Sequence, residues 1–204
     1  MIAIINYGIG NLLSIKNMLK KAGVADVLIT DEPGQVDKAD KIILPGVGHF
    51  DYGMKKLKAS PSFDVLNKKA LQDKIPVLGI CLGAQLLTRG SEEGSEKGLG
   101  WIAADTLKFR TEKFSEKLPV PHMGWTEVHA VEHSLFQNMY EDPRFYFVHS
   151  YFLQPDREEN VLCRSEYGHP FASGIQNNNI MGVQFHPEKS HKFGLRLLEN
   201  FAKL

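Results

Sequence analysis

The chain has 204 residues, enough for one domain with a full core over residues 1–204. Its 24 basic and 24 acidic side chains cancel and no basic block stands out, so nothing electrostatic argues for nucleic acid or an anionic membrane as partner. At 43% hydrophobic and 24% charged the composition is that of a soluble globular protein, and no apolar run approaches the ~20 residues of a membrane span.

The first residues, Met1 to Asn6, lack the basic segment and cleavage site of a signal peptide and read as a first strand, Ile2 to Ile5. A helix follows from Asn11 to Ala22, with Leu12, Ile15 and Leu19 on one face. Val27 to Ile29 is a short strand. Ile42 to Leu44 is another, ending at Pro45-Gly46-Val47-Gly48. Phe50 to Gln72 is helical in two pieces, broken around Ser60-Pro61. Val77, Leu78 and Ile80 then form a buried strand behind Pro76, and Leu82, Leu86 and Leu87 recur at helical spacing. Strand and helix alternation of this kind predicts an α/β fold, a largely parallel sheet covered on both faces.

From Gly98 to Gln184 the pattern changes to short strands: Trp101 to Ala103, Thr106 to Phe109, Trp125 to Val128, Phe145 to Val148, Val161 to Arg164, Phe171 to Ile175 and Ile180 to Val183. These predict antiparallel additions to the sheet. A last helix runs from about Ser190 to Ala202, with Ser190 as N-cap and Phe193, Leu197, Leu198 and Phe201 turned inward.

In open α/β sheets, sites form beyond the carboxyl ends of strands, and one such end carries Cys81. Gly79 and Gly83 flank it symmetrically, as a tight strand-to-helix elbow requires. The turn holds the sulfur above the sheet edge, at a helix N-terminus that favours a thiolate. A buried, inert cysteine is the alternative. The other cysteine, Cys163, reads as a core thiol, and two distant cysteines are no disulfide framework, so a reduced cytoplasmic setting is expected.

A sulfur nucleophile needs a base, and the base needs an orienting group. His186 and Glu188 lie two apart in an extended segment stiffened by Pro187, so both can project to one side. A solvated surface turn is the competing reading. An oxyanion hole would take the N–H of Leu82, the residue after the nucleophile, and amides of the Val47-Gly48 loop. That loop also reads as an ordinary turn. His129-Ala130-Val131-Glu132-His133 matches a zinc pattern, but the segment before it reads as a strand, so no metal site is expected. Gly8-Ile9-Gly10 lacks the third glycine of a dinucleotide loop, since Leu13 stands there.

Gly79-Ile80-Cys81-Leu82-Gly83-Ala84-Gln85, the Pro-Gly-Val-Gly loop and His186-Pro187-Glu188 resemble the class I (triad) glutamine amidotransferases. Asn6 to Asn11, Ser91 to Gly94, Gly98 to Trp101, Pro121 to Trp125, Phe145 to Tyr151 and Gln184 to Ser190 resemble the branch that supplies glutaminase subunits to imidazole glycerol phosphate synthases. The resemblance implies a flavodoxin-like three-layer fold with a sheet of roughly seven strands, no cofactor, and a (β/α)8-barrel cyclase partner that receives ammonia.

Residue by residue, the resemblance implies Cys81 as nucleophile, His186 as acid/base and Glu188 as its partner. It implies glutamine contacts from Gln85, Gly46, Gly48 and the backbone at Ser150-Tyr151. Asn11, His122, Met123 and Trp125 would face the partner, although the residues themselves read His122 and Trp125 as structural or partner-facing. Two features depart from that branch: Thr126 stands where Asn is more usual, and Ser190 to Gly194 resembles a paralogous branch that serves sugar modification in surface polysaccharides. A stand-alone cysteine hydrolase of related fold is the more distant alternative.

Overall fold

The structure, a computed structural model, describes residues 1–114 and 117–204. Strand β1 (Ile2–Ile5) is apolar throughout and buried on both faces, as a central parallel strand must be. Its alternate side chains feed two cores: Ile2 and Ile4 one, Ala3 and Ile5 the other. Helix α1 (Leu12–Lys21) lays Ile15 and Leu19 on the first core, and β2 (Val27–Thr30) returns parallel to β1. A one-turn helix α2 (Pro33–Val36), absent from the sequence reading, opens on a proline whose missing N–H has no helical partner there anyway. Strand β3 (Lys41–Gly46) pairs parallel with β1 on its other side. Helices α3 (Phe50–Lys58) and α4 (Phe63–Leu71) cover the second core with Phe50, Met54, Leu57 and Leu66, and they break where expected. Strand β4 (Val77–Cys81) is buried along its whole length and runs directly into α5 (Leu82–Leu86).

The second half supplies β5 (Ala104–Lys108), β6 (His122–Glu127), β7 (His129–Ala130), β8 (Arg144–His149), β9 (Tyr151–Pro155), β10 (Val161–Glu166), β11 (Pro170–Asn177), β12 (Ile180–Val183) and helix α6 (His191–Lys203). The main sheet has the order β2-β1-β3-β4-β12-β11-β10-β7. It is parallel from β2 to β12 and antiparallel beyond. Strands β9 and β5 branch from β11, and β6 and β8 form a separate antiparallel ribbon. Helix α6 packs Leu197, Leu198 and Phe201 onto the first core, with Phe193 half-buried beside them. No helix among the described residues is long and apolar enough to cross a membrane.

Four expectations are corrected. Trp101 to Ala103 is a bend, buried at Trp101 and Ile102 and exposed at Ala103, not a strand: Ile102 N–H bonds the Leu87 carbonyl and Asn177 Nδ2 bonds the Trp101 carbonyl. Trp101 and Ile102 pack at the end of α5 instead of joining the sheet. Strands β7 and β9 were not anticipated, because one is two residues long and the other mixes Gln154 and Pro155 into its apolar run. The main sheet has ten strands rather than about seven. Ser190 holds the N-cap position of α6 but makes no side-chain cap there.

Candidate active site

Cys81 ends β4, beside Gly46 at the end of β3. Its backbone is in the left-handed region, φ 54°, ψ −111°, a strained conformation for a residue with a side chain. The flanking glycines make that corner feasible. A Cβ on Gly83 would lie 1.8 Å from the Leu44 carbonyl oxygen, and one on Gly79 would lie 2.8 Å from Ala84 Cα. Helix α5 is shorter than the leucine spacing predicts, at five residues, so its dipole is small and the side chains around the sulfur carry more of the electrostatics.

The imidazole arrives on the neighbouring strand. β12 lies parallel to β4, with Val183 opposite Ile80, and the chain continues through Gln184 and Phe185 to His186. The Phe185 ring stacks on Phe145 at 4.1 Å, and His186 N–H bonds the Tyr146 carbonyl at 2.9 Å. The Ser190 hydroxyl finishes the clamp, donating to the His186 carbonyl at 2.6 Å and accepting from Tyr146 N–H at 3.0 Å. That is why it does not cap its own helix.

Glu188 Oε1 lies 2.8 Å from His186 Nδ1, with both side chains almost wholly buried. A carboxylate can only accept, so Nδ1 carries a hydrogen toward it and Nε2 is turned away from the carboxylate. Among the described residues Nε2 is buried without a hydrogen-bond partner, as an acid/base nitrogen reserved for a reacting atom would be. Burial alone would lower the His186 pKa, but the Cys81 sulfur and the Glu188 carboxylate outweigh it and raise it to about 10. This coupling puts the imidazole beside the Cys81 sulfur, with the imidazolium favoured.

Cys81 and His186 share one cavity of about 450 Å³. Val47, Gly48, Leu82, Gln85, Ser150 and Tyr151 line it too, as the resemblance implies. Gly46 does not: it is buried within β3, and a Cβ there would meet the Tyr7 hydroxyl at 2.7 Å. His122 is corrected as well, since it is 2% exposed and cannot present itself to a partner. Met123 and Trp125 on the same strand are exposed, and Asn11 is half-buried, its Oδ1 accepting from Ser14 Oγ.

Three residues escaped sequence reasoning. Gln184 is fully buried and aims Nε2 at Cys81 Sγ, 3.8 Å away, while its Oε1 accepts from Gln85 Nε2 at 3.0 Å. A polar residue between Val183 and Phe185, inside an apolar strand end, was the available signal. Among the described residues Glu93 is the one carboxylate lining the cavity. It is held there by a reciprocal lock in which its Oε2 accepts from Phe50 N–H at 2.7 Å, while Asp51 accepts from the amides of Ser95 and Glu96. Tyr7 donates to the Pro45 carbonyl at 2.5 Å; burial first and the Cys81 charge second raise its pKa, so the phenol stays neutral.

A larger cavity, about 820 Å³, lies elsewhere, between Val128, His129, His133, Phe136 and Met139. Among the described residues no cysteine lines it. His129 sits on β7 while His133 precedes a short 3-10 helix and accepts from Leu135 N–H, so the helical presentation a zinc pair needs is missing.

A thiol on a strained corner, next to an imidazole that a carboxylate orients, is the machinery of acyl transfer through a thioester, and it stands here on a flavodoxin-like α/β sheet. An arrangement of this kind fits the class of cysteine-nucleophile amide hydrolases. A family model described as glutamine amidotransferase class-I matches residues 3–204, and the chain belongs to that family. It is an enzyme of that type. It is 54% identical to imidazole glycerol phosphate synthase subunit HisH 2 of Methanococcus maripaludis, over 100% of this chain and 99% of that one. It is 45% identical to the subunit HisH 2 of Pseudomonas aeruginosa, over the full length of both. Among solved structures, one described as a glutamine amidotransferase superposes with a TM-score of 0.75 at 17% identity, covering 100% of this chain and 99% of that one.

Proposed function

We propose that the chain is the glutaminase subunit of an imidazole glycerol phosphate synthase. In this reading it hydrolyses glutamine and delivers ammonia to a (β/α)8-barrel cyclase, which makes imidazole glycerol phosphate and AICAR in histidine biosynthesis. The observation that carries the chemistry is the buried, unpartnered Nε2 of His186 in one cavity with Cys81. The acceptor reaction is drawn from the identity to HisH relatives along the whole chain.

The Cys81 thiolate attacks the side-chain amide carbon of glutamine. N–H groups of Leu82 and of the Val47-Gly48 loop hold the oxyanion. Gly48 has φ +97°, so its peptide can turn at little cost, and completing the hole only on partner docking would prevent wasteful hydrolysis. His186 protonates the departing nitrogen, giving ammonia and a γ-glutamyl thioester. It then takes a proton from water, whose hydroxide releases glutamate and restores the thiolate. Glu188 stabilises the imidazolium throughout. Glu93 pairs with the substrate ammonium, and Gln85 with the Ser150-Tyr151 backbone positions the rest. Ammonia must stay unprotonated to act as a nucleophile, so a dry route into the barrel is required. Asn11 and the exposed Met123 and Trp125 are the proposed docking face. A cytoplasmic setting keeps the thiol reduced.

The test is Cys81→Ser in the complex with a barrel-type cyclase. Glutamine-dependent synthesis should vanish while ammonia-dependent synthesis persists; loss of both would assign the thiol a structural role. The Ser190 to Gly194 run favours a second reading, an acceptor that is a nucleotide-linked sugar. The partner that restores glutamine turnover decides between them.

A further inference from the structure

Beside Ser150 and Tyr151, His149 lines the cavity too, and with His122 behind it forms a pair of buried imidazoles that the mechanism above does not use. His149 Nδ1 lies 2.7 Å from the Tyr151 carbonyl oxygen, and His149 Nε2 lies 2.9 Å from His122 Nδ1. His122 Nε2 lies 2.7 Å from Thr126 Oγ1. One end fixes every proton in this line. A carbonyl can only accept, so His149 Nδ1 carries hydrogen and its Nε2 does not. His122 must then donate from Nδ1 and accept at Nε2, and the Thr126 hydroxyl is the remaining donor. The result is a one-way chain from Thr126 through His122 and His149 to the Tyr151 carbonyl.

That carbonyl is also the acceptor for Gln85 Nε2, at 3.4 Å. The chain thus ends on a peptide that lines the cavity holding Cys81. The rings cannot swing away. His122 is sandwiched between Phe147, 4.9 Å and 22° off parallel, and Tyr167, 4.0 Å and 19° off parallel. His149 packs against Phe109 at 5.3 Å and Phe147 at 5.4 Å. Burial holds His122 down to about 4 and His149 down to about 3, so both rings are neutral near pH 7 and neither gains a proton that would set two donors face to face. Register supplies the rest: His122 and His149 face each other across β6 and β8, and the two-residue period of β6 turns His122 and Thr126 inward while Met123 and Trp125 stay outside.

We propose that Thr126, His122 and His149 form a tautomerically locked strut that sets the Ser150-Tyr151 peptide for glutamine, and that all three are positioning residues for substrate binding. This rests on the glutaminase reading of the same cavity. Thr126 then matters as a donor, and an amide in its place would serve the same end.

The experiment pairs steady-state kinetics of glutamine hydrolysis, in the complex with a barrel-type cyclase, with ¹⁵N spectra of the imidazole nitrogens in the full chain. Thr126→Val removes the donor at nearly constant shape and should raise KM for glutamine about five- to ten-fold, the worth of one hydrogen bond, with kcat within about twofold. His122→Phe keeps the aromatic stack, cuts the strut at its middle and should give the same KM shift. Thr126→Asn should restore the wild-type KM. The spectra should show hydrogen on Nδ1 of both rings in the wild type and mixed His122 tautomers in Thr126→Val. Unchanged KM in both cutting variants, or hydrogen on His149 Nε2 in the wild type, overturns the strut and leaves the glutaminase reading standing. Absence of glutamine hydrolysis by the wild-type complex overturns both.

Discussion

Acidification should destabilise this protein through the same two imidazoles. Each has an ordinary value of 6.5 and is held far below it, chiefly by burial. As pH falls below 6.5 the unfolded chain takes up both protons while the folded chain takes up neither until about 4 and 3. The unfolded state binds more protons, so stability falls across that window. Between pH 6.5 and 5 this amounts to about 2 kcal/mol for His149. The more solvent-screened His122 adds about 1 kcal/mol after discounting for that screening. A loss of about 3 kcal/mol is a large share of the 5–15 kcal/mol typical of a domain. His186 works weakly the other way: raised to about 10, it is already protonated in the folded state while the unfolded chain is still titrating near 6.5, so it gives a small gain in stability on acidification that ends once the unfolded histidine is protonated. The assay is urea unfolding at pH 7, 6 and 5, read from tryptophan fluorescence, since Trp101 is buried. The double variant His122→Gln, His149→Asn should show most of that pH dependence removed. Equal slopes in wild type and variant would refute the reasoning.

Gly83→Ala drives a methyl into the Leu44 carbonyl and should cost about 3 kcal/mol or roughly 10 °C in Tm by calorimetry; an unchanged Tm would mean that the elbow opens without strain. Glu188→Gln should lower the rate of thioester formation by roughly 10²–10⁴ in a rapid-quench burst experiment, because the imidazolium loses its counter-charge. Glu93→Gln keeps an acceptor for Phe50 N–H but removes the charge, so KM for glutamine should rise about ten-fold with kcat retained.

The elbow and the His-Pro-Glu segment were legible because their signals are local: an apolar run, two glycines, a proline between two polar residues. The parallel half of the sheet was legible for the same reason, since Ile2 to Ile5 and Val77 to Ile80 can only be buried strands. Gln184, Glu93 and His149 were not. Gln184 acquires its meaning only when β12 aligns beside β4, and Glu93 only when α3 and the loop after α5 exchange backbone caps. His122 was misplaced because the sequence gives the ribbon's alternation without saying which face is dry. Ser190 was read as a helix cap from its position, while its hydroxyl is engaged by two backbone groups of the site.

That diversion has a mechanical consequence. The first amides of α6 receive no side-chain cap, which leaves that terminus weaker by about 1 kcal/mol than a capped helix would be. The fold therefore concentrates its rigidity on the histidine and tolerates a frayed helix start a few residues later. In hydrogen exchange, the amides of 191–193 should trade deuterium quickly next to a His186 amide that is among the slowest in the molecule.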